Sequence, residues 1–276
     1  MDSPSFTYIA IDVAKKSHTV FCRGKTFEIS NDQRGFEALK QSIQQCPSPL
    51  VVIEATGGYE RPIMRYLRDH HIHLTRVNPA RVRHFAASEG QKAKSDHADA
   101  KVLARFAQEK KLRPDPTPKA HQEHLAELMD RGDQLTEHIA REKNRLEKQP
   151  RYARASIEKI LTVLEDELSS IENQIKHLID QQADFKEHSQ IIQSVCGIGK
   201  VTAWTILAYL PEITLYNRNQ IVSLAGIAPF DQDSGSRKGK RTVQGGRAKV
   251  RKALYMAAQT AAMHNKHIIP YAKRLK

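Results

Sequence analysis

The 276-residue chain holds only three cysteines, Cys22, Cys46 and Cys196, scattered and without CxxC spacing. That scarcity argues against a disulfide frame or a zinc site and for a reducing compartment. No stretch approaches the roughly 18 to 20 unbroken apolar residues that a membrane span needs. The opening, MDSPSFTYIA, lacks the basic start and apolar core of a signal peptide. A cytoplasmic protein is expected. One region lacks acids altogether: Arg237 to Lys276 contains twelve Lys or Arg and no Asp or Glu. Net charge is +13, so the other 236 residues sit near balance at +1. A basic block on a neutral body points to a nucleic-acid grip. The alternative, a solvated tail, is weakened by KVRKALYMAAQTAAM (249–263), which has the pattern of an ordered amphipathic helix.

What is present suffices for two modest domains, or for one with an insertion. Hydrophobic residues make up 39% and mean hydropathy is −0.57, low but adequate for a core. FTYIAIDVAKKSHTVFCRGKTFEIS (6–30) alternates and is β-branched, with polar breaks near Lys15–Lys16 and Gly24–Lys25. It reads as three short strands in an antiparallel meander. A helix is expected over about 32–46, then a buried central strand in PLVVIEAT (49–56). A helix (58–70), a strand (72–78), a short helix (79–86) and another helix from about 94 follow. Residues 1–112 are therefore expected to form an α/β domain, closed by the linker RPDPTP (113–118).

Residues 113–188 are expected to hold the linker and a coiled-coil helical hairpin. Leu125, Leu128, Leu135, Ile139 and Leu146 space at threes and fours, and Ile157 to Leu178 carries a heptad seam beyond Pro150. Such arms serve equally as a spacer or as a dimer contact. Residues 189–276 are expected to form a basic, mainly helical domain. It opens on IIQSVCGIGKVTAWTILAYL (191–210), where Gly197-Ile198-Gly199-Lys200 interrupts two apolar segments in the manner of a helix–hairpin–helix. There, backbone N–H groups can approach a phosphate closely. An ordinary helix-joining turn is the alternative.

Two carboxylates end apolar strand runs: Asp12 in YIAID and Glu54 in VVIE. A carboxylate in that setting is costly unless a cation or donor compensates it. In KSDHADAKVLARF (94–106), Asp96, Asp99, Leu103 and Phe106 fall on one helix face. Taken alone, Asp96 and Asp99 read best as an N-cap and an N3 carboxylate. With Asp12 and Glu54 they read as a four-oxygen site for Mg2+ or Mn2+, suited to phosphoryl transfer.

The order of meander, strand acid, strand acid and helix acids resembles the RNase H-like (RuvC-like) fold of Holliday-junction resolvases. The words IDVAKKSHTV, EATGGYERPIMRYL, VNPARVRHFAASEGQKAKSDHADAKVLARFA, CGIGKVTAWTILA and LAGIAPFDQDSGSRKGKRTVQGGRAKVRKALYMAA resemble, in order, the DEDD transposases of bacterial insertion sequences. Those enzymes are related to pilin-gene DNA invertases, and the likeness covers nearly the whole chain. The resemblance implies that Asp12, Glu54, Asp96 and Asp99 are the catalytic, metal-holding acids. It implies that Ser234, in DQDSGSRKGKR, is the nucleophile that links covalently to cleaved DNA, with Ser236 its local rival. It further implies a noncoding bridge RNA as guide and a homodimer or homotetramer.

Candidate nucleic-acid contacts are Gly197, Gly199, Lys200, Arg237, Lys238, Lys240, Arg241, Arg247, Lys249 and Arg251. Rival readings are a metal-dependent junction resolvase or nuclease using water, and a non-catalytic nucleic-acid-binding protein. An actin-like kinase is disfavoured, since no convincing pair of glycine-rich phosphate loops is present.

Overall fold

Alternating β-branched residues build residues 7–30 into three strands, β1 (Thr7–Val13), β2 (Ser17–Cys22) and β3 (Lys25–Ser30). The computed structural model describes residues 6–54, 57–90, 96–117, 119–148, 151–230, 239, 241–243 and 245–275, without the side chains of Asp96 and His97. Two compact units are present, Met1–Thr117 and Pro118–Lys276.

In the first unit, helix α1 (Gln33–Gln44) follows β3, capped by the Asp32 carboxylate, which accepts from the Gly35 N–H at 2.9 Å. The apolar run becomes β4 (Pro49–Glu54), followed by α2 (Arg61–Asp69), β5 (Leu74–Val77), α3 (Pro79–Ser88) and α4 (Asp96–Glu109). Helix α2 starts three residues later than its apolar pattern suggests, because Gly57 and Gly58 take positive φ in the preceding turn and Pro62 sits in the first helical turn.

The sheet order is β3-β2-β1-β4-β5, with β1, β4 and β5 parallel and β2 and β3 antiparallel. Side chains alternate across it. Ile9, Ile11, Val13, Val51 and Ile53 meet α1 and α2 on one face. Ala10, Val52 and Val77 meet α3 and α4 on the other, through Val82, Phe85, Val102, Leu103 and Phe106. The stretch read as a linker is partly stitched to the sheet. The Asp115 carboxylate accepts from Thr75 Oγ1 at 2.9 Å and the Arg76 N–H at 2.7 Å, holding the chain along the β5 edge.

His18 is fully buried on β2, 6.2 Å from and parallel to the Phe36 ring. Neither of its ring nitrogens has a well-formed hydrogen bond among the described residues. Burial lowers its pKa from the ordinary 6.5, and the nearby Asn31 side chain and Ser17 backbone offset this only in part. Below pH 6.5 the unfolded chain therefore binds a proton that the folded chain refuses, and stability falls as pH falls. We expect wild-type protein to lose up to about 1.4 kcal/mol per pH unit more than His18→Leu between pH 6.5 and 5, measured by urea unfolding. Parallel pH curves would refute this. Close by, Cys22 and Cys46 bring their sulfurs to 3.5 Å as free thiols, and burial, then the neighbouring thiol, pushes Cys22 up to about 12.

In the second unit, α5 (Ala120–Lys148) and α6 (Arg154–Gln181) lie along each other as a hairpin. Leu125, Leu128 and Leu135 pack with Ile171, Ile175 and Leu178, and Ile139 packs with Ile157 and Leu161 nearer the turn. Helices α7 (Ala183–Gln193) and α8 (Lys200–Tyr209) continue this core through Phe185, Trp204 and Leu207. A 3-10 turn (Pro211–Thr214), α9 (Arg218–Ala225), the two-residue strands β6 (Pro229–Phe230) and β7 (Thr242–Val243), α10 (Ala248–His264) and α11 (Ile269–Leu275) complete it. No helix among the described residues is long and apolar enough to cross a membrane.

Candidate active site

Strand register decides where the acids of the first unit go. Ile11 pairs with Ile53 in the parallel β1–β4 ladder, so Asp12, the last residue but one of β1, and Glu54, the last of β4, lie side by side on strands about 4.8 Å apart. Asp12 shares the side of Ala10, and Glu54 that of Val52; both therefore face the α4 layer. Each is half-buried.

Helix α4 runs opposite to β1. The Tyr8 hydroxyl, near the start of β1, donates to the Leu112 carbonyl just past the end of α4, at 3.1 Å. A helix of 14 residues spans about 21 Å and a strand of seven about 23 Å, so the first turn of α4 lies at the Asp12 end. Asp99 is half-buried there, one and two turns before Leu103 and Phe106, which are 1% and 2% exposed. Phe106 is held in turn by an edge contact with Phe85 at 5.5 Å. Asp12, Glu54 and Asp99 thus share one end of one sheet face. Asp96 is the first residue of the same helix, and its side chain lies outside the described set. Among the described residues, no three His, Cys, Asp or Glu side chains form a group that could hold a metal.

In the second unit the glycine turn does two different jobs. Gly197 has φ +107°, and a methyl group there would lie 2.7 Å from Ala261 Cβ and 2.9 Å from the Ala257 carbonyl. Its smallness serves helix packing against α10. Gly199 caps α8 and has nothing within 4 Å on its open side, beside a hollow also lined by Thr202, Met256 and Thr260. Lys200, the first residue of α8, pairs with Glu172 at 3.1 Å and lies 5.5 Å from the Trp204 ring.

Three of the described candidate cations downstream, Arg247, Lys249 and Arg251, are engaged within the fold. Arg247 grips Glu212 through two bonds, at 2.5 and 2.6 Å, and donates to the Tyr209 carbonyl at 2.8 Å. Burial alone would raise the Glu212 pKa, but the Arg247 guanidinium holds it below the ordinary carboxylate value. Lys249 donates to Asp130 at 2.7 Å, Asp133 at 2.6 Å and the Tyr209 hydroxyl at 3.0 Å. Burial works against its charge, yet these bonds raise its pKa, while burial and then Asp130 raise that of Tyr209. Arg251 donates to the Gly245 carbonyl at 2.6 Å, and Arg241 is exposed. Ser234, Ser236, Arg237, Lys238 and Lys240 lie outside the described residues.

A family profile described as a transposase, of the DEDD IS110 type, matches residues 9–149, and one described as transposase of the IS116/IS110/IS902 family matches residues 189–273. The chain belongs to the IS110/IS116 family of transposases. Its relatives include the pilin gene-inverting proteins of Moraxella lacunata and Moraxella bovis, each 28% identical over 266 residues, 92% of this chain and 82% of theirs. The transposase is thus an enzyme of DNA recombination.

Residues that composition and motif left unmarked also shape this transposase. Glu60 is 4% exposed; its carboxylate accepts from the Gly58 N–H at 3.0 Å and lies 3.9 Å from Arg76. It shapes the turn that leaves the Glu54 strand. Only its place just before Arg61-Pro62 hints at this in the sequence. Glu212, Asp130 and Asp133 were likewise invisible, because their partners are remote along the chain.

Proposed function

We propose that this transposase cuts and rejoins DNA through a covalent serine–DNA link, with Ser234 as nucleophile and the acids of the first unit holding divalent metal. What supports the acid half is the placement of Asp12, Glu54 and Asp99 toward one end of one sheet face. The strand order β3-β2-β1-β4-β5 supports reading that unit as RNase H-like. All-carboxylate donors fit a hard cation such as Mg2+ or Mn2+, and Asp12, Glu54, Asp96 and Asp99 would hold it. When bound, such an ion polarises a phosphate and eases loss of a hydroxyl proton.

The chain's own groups do the rest. Ser234 Oγ forms a bond to phosphorus while the bond from phosphorus to a sugar oxygen breaks, and that oxygen leaves as a hydroxyl. The hydroxyl of an incoming strand reverses the step, which keeps the phosphodiester energy in the protein link. The nucleic-acid partners are DNA and, by family likeness, a structured noncoding guide RNA. Among the candidate contacts, Gly199 and Arg241 present open or exposed positions in the described set, while Arg237, Lys238 and Lys240 flank Ser234 in sequence. A homodimer or homotetramer is the working assembly.

The serine half is tested by denaturing gels of full-length protein with a labelled duplex bearing the ends of its element, plus RNA transcribed from that element. Wild-type protein should form a labelled covalent adduct, and Ser234→Ala none, with Ser236→Ala retaining it. Strand cleavage surviving in Ser234→Ala would sink the serine mechanism and favour a water-dependent nuclease.

A further inference from the structure

Helix α10 turns Val250, Ala257 and Ala261 inward and leaves its opposite side uncovered among the described residues. That side carries Lys252, Tyr255, Met256, Gln259 and Met263, which recur at threes and fours. Tyr255, Met256 and Met263 are 62%, 58% and 65% exposed. Apolar side chains gathered on one exposed face mark an interaction surface, where scattered ones would not. The Tyr255 ring is also held in place, because Gln259 Nε2 donates to its hydroxyl at 2.7 Å. Beside Met256 a shallow hollow of about 410 Å³ opens toward the start of α8, lined by Gly199, Thr202 and Thr260.

Charge decides what covers this face. Neither α10 nor α11 contains an Asp or Glu, and Lys252, Lys266, Lys273 and Arg274 are exposed. Glu172, near the start of α8, is taken up by Lys200 at 3.1 Å. A second copy docking through the same face would make an isologous contact, setting cations against cations with no acid on either helix to offset them. A polyanion gains from each cation instead, and one with unpaired bases can also stack them on the Tyr255 ring. Duplex DNA keeps its base faces stacked inside, so it uses the lysines and leaves the ring idle.

We infer that the exposed face of α10 binds unpaired DNA, with Tyr255 as a stacking platform and Lys252 as a phosphate contact. The occupant follows from the chemistry of the enzyme: DNA recombination moves strands between duplexes, and a strand in transit has no pairing partner. The surface rests on that DNA recombination and is independent of the serine reading. Tyr255 and Lys252 are binding residues, with no part in bond making.

The test uses full-length protein in the absence of divalent ions, with binding read by fluorescence anisotropy of labelled probes. One probe is oligothymidylate of about 20 nucleotides, longer than the roughly 4–16 that a single-strand site spans. The others are a duplex and an oligouridylate of the same length. Tyr255→Ala should bind oligothymidylate about tenfold more weakly with an unchanged salt slope, while its duplex affinity stays that of the wild type. Tyr255→Phe keeps the ring and should keep most of the affinity. Lys252→Ala should lower the salt slope by about 0.7, the single-strand value for one phosphate. Gln259→Glu sets a negative charge on the face at nearly equal volume and should weaken the same probe. All three positions are exposed, so each variant should melt with the wild type.

Wild-type affinity for oligothymidylate in both Tyr255→Ala and Gln259→Glu would overturn the proposal. So would equal losses on duplex and single strand, which would make the face a duplex grip, or a greater loss on oligouridylate, which would assign it to RNA. Variants that bind every probe like the wild type but sediment as a smaller species would assign the face to a second copy of the chain. Failure of the serine reading looks different: it removes the covalent adduct and leaves these affinities as they are.

Discussion

Asp12→Asn is expected to keep the fold and lower strand cleavage by about a thousandfold, the loss of about 4 kcal/mol of transition-state stabilisation. Asparagine matches aspartate in shape, so the end of β1 should still pair with β2 at Thr19 and face the α4 layer. What it removes is one negative charge from an end of the sheet where Glu54 and Asp99 remain. A second readout does not depend on activity. Anything that binds only the folded state raises melting temperature by mass action, so millimolar Mg2+ or Mn2+ should raise that of the wild type. In the absence of divalent ions, Asp12→Asn should melt at or above the wild-type temperature, because like charges at close quarters repel. With ions added, its upward shift should shrink or vanish. Equal shifts in both proteins would separate the acids from metal binding. Asp99→Asn and Glu54→Gln should behave alike if the three share one role.

The path to these acids was legible because both strand and helix periods leave marks in sequence. Alternation through YIAID and the unbroken run VVIE marked β1 and β4, and each ended in a carboxylate. Leu103 and Phe106 fixed the face of α4 on which Asp99 lies, because buried residues recur at the helical period. The two long helices were equally plain, since Leu125 to Leu135 pack with Ile171 to Leu178 in one cluster and Ile139 with Ile157 and Leu161 in another.

Other features depend on contacts between residues distant in sequence. The stretch 113–118 reads as a linker, yet the Asp115 carboxylate fastens to Thr75 and Arg76. Arg251 reads as a nucleic-acid contact, yet it donates to the Gly245 carbonyl, beside the close approach of Gly246 to Gly226. Gly197 reads as part of a phosphate turn, yet Ala257 and Ala261 of α10 fill the space beside it. In each case only tertiary structure supplies the partner.

The basic block is where that distinction has the greatest energetic weight. A phosphate-gripping Arg247 would weaken DNA binding when removed and leave stability alone. The geometry predicts the reverse for Arg247→Ala. It loses two charge-assisted bonds to Glu212 and one bond to the Tyr209 carbonyl, and it strands a carboxylate whose side chain is 16% exposed. Stranding one member of a fully buried pair costs about 3–5 kcal/mol; Arg247 is a third exposed, so about 2–3 kcal/mol is expected here. For a unit of this size that lowers the melting temperature by about 4–12 °C.

The pH dependence supplies the sign. In the wild type, Arg247 holds the Glu212 pKa below the ordinary 4.5, so this pair stabilises above pH 4.5 and its contribution is lost as pH falls through the lowered value. In Arg247→Ala the guanidinium no longer offsets burial, which raises the Glu212 pKa and is then opposed only by the residue's own backbone N–H. The variant's deficit should therefore be largest near neutrality and shrink toward pH 4. Arg247→Met combined with Glu212→Leu should recover stability relative to Arg247→Ala, because no unpaired charge is left in the fold. An Arg247→Ala protein that melts like the wild type while its DNA salt slope falls by about one would return this arginine to the nucleic-acid interface.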